Sequence, residues 1–201
     1  EQLPSFAGSD AVIRFAKGEN EFFGWNGQRQ QVITVGQSLK KRGQHLGYSL
    51  FEKVTAGFST KVYGTDNEDL GEMYGGSPSY EELKATLREN RVFFYFGTVP
   101  APYTLSLIEA MMTGIPIVAV GPKLREMGAY PWKNYEVPDI ISNGVNGFVS
   151  DDIKELRGYV ELLLNDHDTA KRIGEAGRET AIKLFDKQAI TSQWAEFLKT
   201  V

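Results

Sequence analysis

Five short runs of apolar and β-branched residues are the feature of this sequence that most limits its fold. They lie at 11–15, 32–35, 60–63, 92–96 and 117–120. Most of them are apolar at consecutive positions, which is typical of strands that are covered on both faces and therefore of a parallel sheet. The sequence predicts these five runs as strands of such a sheet.

Helical patterns separate the predicted strands. One helix is indicated by a single apolar face that precedes Gly57 and contains Leu46, Leu50, Phe51 and Val54. Ser79 and Glu82 have the spacing of a capping box, which predicts that a second helix begins there. A third helix is predicted from Thr104 to Gly114, with Pro116 preventing its continuation.

The C-terminal part of the chain has a different pattern. Three successive amphipathic helices are predicted at 153–164, 170–184 and 190–198, with Asn165 and Asp186 as caps. The preceding strands and helices alternate, which predicts a doubly wound α/β fold with a helical C-terminal tail. Ligands of such sheets bind at the carboxyl ends of the strands.

Composition excludes several classes of function. The chain of 201 residues has no cysteine, which rules out disulfides, thiolate metal sites and a cysteine nucleophile. Its net charge of −4 and its lack of a lysine or arginine block argue against nucleic acid as a partner. No apolar run approaches the roughly 20 residues that span a bilayer, so we expect no integral membrane segment and a cytoplasmic location.

Histidine and tryptophan give no specific site signal. His45 and His167 lack a metal-ligand spacing, so no metal site is expected. Trp25, Trp132 and Trp194 are predicted to be packing residues. Trp132 is the best candidate exception, as a platform for a sugar ring, because it lies in the irregular proline-rich and glycine-rich stretch 121–146 near the expected ligand edge.

The residues after the second predicted strand favour an anion site. Gly36 allows close approach of the backbone, and Lys40, Lys41 and Arg42 precede a helix start that is predicted near Gly43. A helix N-terminus with adjacent cations binds phosphate readily. A solvated basic loop is the alternative, since neither the Rossmann glycine fingerprint nor a P-loop is present.

Two further features are open to two interpretations each. Glu109 is the only ionisable residue of an otherwise apolar helix, so it either faces solvent or meets a partner such as a hydroxyl ligand. The cluster at 74–78, which contains Gly76, either presents backbone groups to a flat base or forms an ordinary turn.

Three segments resemble those of a known protein family, both in their sequences and in their order along the chain. They are SLIEAMMTGIPIVAV at 106–120, IISNGVNGFVSDDIKELRGYVELLLND at 140–166 and RIGEAGRETAIKLFD at 172–186. They are similar to the C-terminal domain of retaining GT-B glycosyltransferases of the family called glycosyl transferases group 1, or family 4. The resemblance covers most of 30–198 and implies a Rossmann-like domain that binds a nucleoside diphosphate sugar.

The resemblance also implies site residues. Glu109 matches the second glutamate of the family's E-x7-E motif, which hydrogen-bonds the donor ribose, and Arg42 matches its phosphate-binding lysine. Thr104 and Leu105 match the positions whose amides meet the diphosphate. The candidate donor-binding residues are Gly36, Gln37, Lys41, Arg42, Gly76, Tyr103, Thr104, Leu105 and Glu109, with Arg42 and Glu109 as candidate catalytic residues.

The sequence also departs from the family pattern. Ala101 stands where the first motif glutamate is expected, and Gln37 replaces the usual arginine. A longer stretch, 121–141, replaces the family's short GG-x-x-E segment. These differences leave open a second interpretation, a non-catalytic module for nucleotide binding or assembly, and a third, an unrelated doubly wound enzyme such as an epimerase.

The function expected from the resemblance is sugar transfer with retention from a nucleoside diphosphate sugar, without a cofactor. The expected organisation is a lead-in at 1–30 from a missing N-terminal acceptor domain, a nucleotide-sugar-binding domain at 31–185, and a C-terminal helix at 186–201 that packs on the missing domain. Such a fragment is expected to have little activity alone.

Overall fold

The computed structural model describes residues 10–43, 47–99, 101–125 and 135–200. In this part of the chain the strands are β1 (Arg29–Val35), β2 (Thr60–Tyr63), β3 (Tyr74–Gly76), β4 (Asn90–Tyr95), β5 (Ile117–Val120) and β6 (Phe148–Ser150). They form one parallel sheet with the order β3-β2-β1-β4-β5-β6. The predicted doubly wound parallel sheet is confirmed.

Helices cover both faces of this sheet. They are α1 (Tyr48–Thr55), α2 (Tyr80–Glu89), α3 (Leu105–Thr113), α4 (Val137–Ile140), α5 (Ile153–Asn165), α6 (His167–Phe185) and α7 (Lys187–Phe197). Helices α1 and α5 pack in the core on one face, whereas α2, α3 and α4 pack in the core on the other. The predicted helical tail is confirmed as α5, α6 and α7.

The strand β5 shows why consecutive apolar residues predicted the sheet. Val118 lies in the core that contains α5, and its neighbour Ala119 lies in the core that contains α3. Both residues are fully buried because successive side chains of a strand point to opposite faces.

The predicted strand at 11–15 is wrong. These residues make no strand in the structure, and Val12 and Phe15 are 73% and 61% exposed. An apolar run becomes a strand only where a neighbouring strand pairs with it. The structure also differs at 74–76, where the sequence indicates either a base-binding turn or an ordinary turn: these residues form the edge strand β3.

Helix boundaries follow local capping. In the predicted capping box, the Glu82 carboxylate accepts from the Ser79 backbone N–H at 2.7 Å, and the Ser79 hydroxyl accepts from the Glu82 N–H at 3.4 Å. Asn165 was the wrong cap, because it is the last residue of α5. Asp166 caps α6 by accepting from the Thr169 N–H at 2.9 Å, and Asp186 caps α7 as predicted.

The structure corrects the predicted helix start near Gly43 and part of the prediction that the tryptophans are packing residues. The helix predicted to start near Gly43 begins at Tyr48, with Gly47 in the left-handed conformation before it. Trp194 is 48% exposed and does not pack in the core. Trp25 packs against the cores on both faces of the sheet, and its indole N–H donates to the Asn90 carbonyl at 2.7 Å.

The segment 10–28 lies against α3 and α6. Phe22 is buried, and the Arg178 guanidinium donates hydrogen bonds to the carbonyls of Phe22 and Met112. The backbone of Lys17 pairs with the end of α6, donating to the Phe185 carbonyl at 2.9 Å. These contacts place the Lys17 side chain beside α3.

Candidate functional site

The centre of the sheet has a crevice at its carboxyl edge. The chain leaves β1 toward β2 on one side and leaves β4 toward β5 on the other, so the strand order reverses between β1 and β4. Such a reversal is where doubly wound sheets bind ligands. A small cleft lies there, lined by Thr34, Val35, Gly36, Arg42, Tyr95, Phe96, Gly97, Thr98, Thr104 and Ser106.

The first wall of the cleft is the loop after β1. The Gly36 N–H donates to the Tyr63 carbonyl at 3.0 Å, which continues the sheet pairing into the loop. The buried Asn67 amide donates to the Gly36 carbonyl at 2.7 Å, and its oxygen accepts from the Leu39 N–H at 2.8 Å. Asn67 therefore holds the loop that carries Arg42, a role that the sequence analysis missed.

The cations of this loop are not equivalent. Arg42 lines the cleft, whereas the Lys40 ammonium donates to the Asp69 carbonyl at 3.2 Å. Lys41 and Gln37 are exposed and do not line the cleft. Among the described residues, Arg42 is thus the cation at the wall of the predicted anion site.

The second wall is the start of α3. Thr104 occupies the N-cap position, as predicted, but its hydroxyl pairs with the Ser106 hydroxyl at 2.8 Å and does not cap the helix. The first amides of a helix have no acceptor within it and carry its positive dipole end. The first turn of α3 contains no acidic residue. This end of α3 suits an anion.

Glu109 lies one turn beyond Ser106 on α3. It is only 7% exposed, so the solvent-facing interpretation is wrong. Its Oε1 atom is 2.6 Å from the Lys17 ammonium, which forms an ion pair with it. The partner that a carboxylate in an apolar helix requires is therefore supplied by the segment before β1.

Lys17 is a charged group in a partly buried position. Burial lowers its pKa, but the hydrogen bond and the charge of Glu109, with a smaller contribution from Tyr80, outweigh burial and raise the pKa above its ordinary value. Lys17 therefore remains protonated at neutral pH.

The remaining predicted donor-binding residues lie outside the cleft lining. Tyr103 is buried with its ring 5.4 Å from that of Phe185, and burial is the main cause that raises its pKa. Leu105 begins α3 with an exposed side chain. Gly76 ends β3, where its φ of 100° favours glycine.

Of the predicted site residues, the structure brings Gly36, Arg42 and Thr104 together in the cleft. The lining residues at 95–98 were missed, although they are the end of the predicted strand 92–96 and the two residues that follow it at the expected ligand edge. Ala101 follows this stretch, and its N–H donates to the Thr98 carbonyl at 2.7 Å.

The structure shows neither a metal cluster nor a membrane-spanning helix among the described residues. The described residues contain no cluster of three or more histidine, aspartate or glutamate side chains that could hold a metal ion. None of the described helices is long and apolar enough to cross a membrane. His167 contacts the Asn26 carbonyl at 2.8 Å and stacks on Trp25. Trp132 and His45 lie outside the described residues.

Two curated proteins are similar in sequence, although no protein-family model matches the chain. The chain is 28% identical over 203 aligned residues to sulfoquinovosyl transferase SQD2 of Arabidopsis thaliana, covering 94% of this chain and 36% of SQD2. It is 25% identical over 200 aligned residues to WcaL of Salmonella typhimurium, a protein named as a colanic acid biosynthesis glycosyltransferase, covering 87% and 46%. The chain thus spans less than half the length of both relatives.

Solved structures share the fold. HepE of Anabaena in complex with UDP-glucose has a TM-score of 0.70 at 18% identity, over 95% of this chain and 57% of HepE. Sucrose-phosphate synthase of Thermosynechococcus elongatus has a TM-score of 0.70 at 18% identity, over 96% and 53%. The C-terminal domain of the glycosyl transferase group 1 protein LpcC of Francisella tularensis is covered completely, with a TM-score of 0.57 at 14% identity over 86% of this chain.

These comparisons confirm the resemblance at the level of fold and relatives. The sequence relatives are glycosyltransferases by name, and the described domain has the Rossmann-like fold of GT-B glycosyltransferases.

Proposed function

We propose that this chain is the donor-binding half of a glycosyltransferase that takes a sugar from a nucleoside diphosphate sugar. The observation that carries the proposal is the cleft between β1 and β4, where Gly36, Arg42 and the start of α3 meet. The glycosyltransferase names of the relatives and the UDP-glucose complex of HepE support the same assignment.

The diphosphate is proposed to lie between the two walls of the cleft. Arg42 and the first amides of α3 supply positive charge and hydrogen-bond donors there. Stabilising the negative charge that develops on the departing diphosphate is the main electrostatic task of such a reaction. Gly36 permits close approach because it has no side chain. In this proposal Lys41 and Gln37 contribute from the exposed side of the loop.

The nucleoside is proposed to extend from the cleft toward Gly76 and α2. Glu109, one turn into α3, would accept hydrogen bonds from the ribose hydroxyls. Tyr103 and Leu105 would contribute through their positions at the start of α3. The reaction is proposed to be metal-independent, to retain the anomeric configuration and to need an acceptor domain that precedes this chain in a cytoplasmic protein.

Nucleotide binding tests this proposal. UDP, GDP, ADP and the corresponding nucleotide sugars are added to the chain at millimolar concentration, and its thermal unfolding is followed. A ligand at about 100 times its Kd stabilises the folded state by roughly 2.7 kcal/mol. At least one nucleotide series is expected to raise the Tm, and Arg42→Gln is expected to reduce that rise.

Arg29→Gln is the matched control for Arg42→Gln. Arg29 lies at the opposite end of β1, where it pairs with Glu89 at 2.9 Å. It is far from the carboxyl edge, so its replacement should leave the ligand-induced rise unchanged. The proposal is refuted if none of the three nucleotide series raises the Tm, or if both arginine variants behave alike.

A further inference from the structure

A network of polar side chains links α3 to the start of α2 across the segment before β1. Lys17 is its centre. Its ammonium is 2.6 Å from Glu109 Oε1 on α3 and 3.3 Å from the Tyr80 hydroxyl on α2. The Tyr80 hydroxyl in turn donates to Glu21 Oε2 at 3.4 Å. Three separate parts of the chain thus meet at one lysine.

The ammonium is held in place as well as paired. It lies 5.6 Å from the ring centre of Phe22 and 5.3 Å from that of Tyr80. The Lys17 and Glu109 side chains are only 17% and 10% exposed. A lysine with one acceptor, one hydroxyl and two rings around it has little rotational freedom, so it orients the carboxylate that it contacts.

The pairing leaves part of the carboxylate available. Lys17 contacts Oε1, and within the described residues Oε2 of Glu109 has no hydrogen-bond partner. The described polar atoms that are fully buried without a partner do not include Oε2, so this unpaired oxygen is not sealed from solvent. An ionised carboxylate can accept several hydrogen bonds. One oxygen is therefore fixed, while the other can accept from a ligand hydroxyl.

From this geometry we infer that Lys17 is a positioning residue, which holds Glu109 so that its free oxygen reads a ribose hydroxyl. The inference rests on the proposed function and adds a specificity determinant to it. Lys17 lies outside the cleft lining and acts through Glu109. Its consequence is discrimination between ribonucleotides and 2′-deoxyribonucleotides.

The test compares the Kd of UDP, GDP and ADP with those of their 2′-deoxy forms by isothermal titration calorimetry. A hydrogen bond to a charged group contributes about 1.5–3 kcal/mol, which is roughly tenfold or more in Kd. The wild type is expected to bind the ribonucleotide at least about tenfold more tightly than the deoxy form. Lys17→Met should weaken ribonucleotide binding and reduce this ratio to about twofold, while Lys17→Arg keeps most of it.

Lys84→Met is the matched control. The Lys84 ammonium lies 4.6 Å from the ring centre of Tyr80 and 5.8 Å from that of Phe22, but it pairs with Glu81 at 2.7 Å. It therefore shares the aromatic surroundings of Lys17 without a contact to Glu109. Its ratio should equal that of the wild type.

Each outcome decides a different point. Binding of none of the ribonucleotides by the wild type refutes the proposed function and the inference together. Ribonucleotide binding with no 2′-deoxy discrimination refutes the inference alone. An unchanged ratio in Lys17→Met, tighter ribonucleotide binding, or equal weakening of both nucleotides also overturns it.

Folding of every variant is checked by circular dichroism. Lys17→Gln replaces Lys17→Met if the methionine variant does not fold. In a Glu109→Gln background, the Lys17 substitution should have no further effect on the ratio, because Lys17 acts through that carboxylate.

Discussion

Replacing Gly174 by alanine should destabilise the protein through a contact between two helices. Gly174 lies in α6 at the point where this helix crosses the end of α3. A Cβ atom at this position would lie 2.0 Å from the Gly114 carbonyl oxygen and 3.4 Å from Pro116 Cδ. Real Cβ contacts are essentially never below 3.0 Å, so the backbone of one helix must move by about 1 Å.

The magnitude follows from two opposing effects. Overpacking of a core contact costs about 1–3 kcal/mol, and a clash with backbone lies toward the upper end of that range. Alanine in place of glycine in a helix returns about 1 kcal/mol. The net free energy of unfolding should fall by about 1–2 kcal/mol. In a chain of this size, each kcal/mol lowers the Tm by about 2–4 °C.

Gly158→Ala is the control, because Gly158 also lies within a helix, α5, and a Cβ there would meet nothing within 4 Å. It should stabilise the protein by about 0.5–1 kcal/mol through helix propensity alone. Urea and thermal unfolding, followed by circular dichroism, measure both variants. The packing argument fails if Gly174→Ala is as stable as the wild type or more stable.

Two further predictions concern a helix cap and a partly buried hydrogen-bond donor, Arg178. The hydrogen bonds from Thr169 hold the pKa of the Asp166 carboxylate below its ordinary value. Asp166 therefore contributes stability that is fully present above about pH 4 and is lost as the pH falls through its folded pKa. Asp166→Ala should therefore lower stability in urea titrations at pH 7 and differ less from the wild type at pH 3; a difference that does not change with pH would contradict this assignment. Arg178→Met should lower the free energy of unfolding by at least about 2 kcal/mol, since its guanidinium donates to the carbonyls of Phe22 and Met112. Arg172→Met, which loses an exposed bond to Gly144 and a small attraction to Asp166, should cost below about 1 kcal/mol. Equal effects of the two arginine substitutions in chemical denaturation would refute the role of Arg178.

Much of the fold could be predicted from local patterns. The run at 117–120 is apolar on both faces, and the run at 60–63 is rich in β-branched and aromatic residues; both are strands with those bounds. The Ser79 capping box fixes its own helix start, because both of its hydrogen bonds connect residues three apart. Such features require no knowledge of the rest of the chain.

Errors arose where a distant partner decides the structure. The run at 11–15 has strand-like residues but no neighbouring strand, whereas the short β3 and β6 exist because β2 and β5 pair with them. Asn67 gives no signal in the sequence, since its importance depends on the Gly36 carbonyl and the Leu39 amide, both about 30 residues earlier.

The candidate site was also predicted from the sequence only in its local features. From the sequence alone came the parallel sheet, the ligand edge, the apolar helix with a single acid, and the family resemblance that singles out Arg42 and Glu109. The tertiary structure alone decided that Arg42 reaches the cleft, that Glu109 is buried, and that Lys17 is its partner. Hydrophobic period and motif spacing are local properties of the chain. The pairing of Glu109 with Lys17, 92 residues earlier, depends only on how the chain packs.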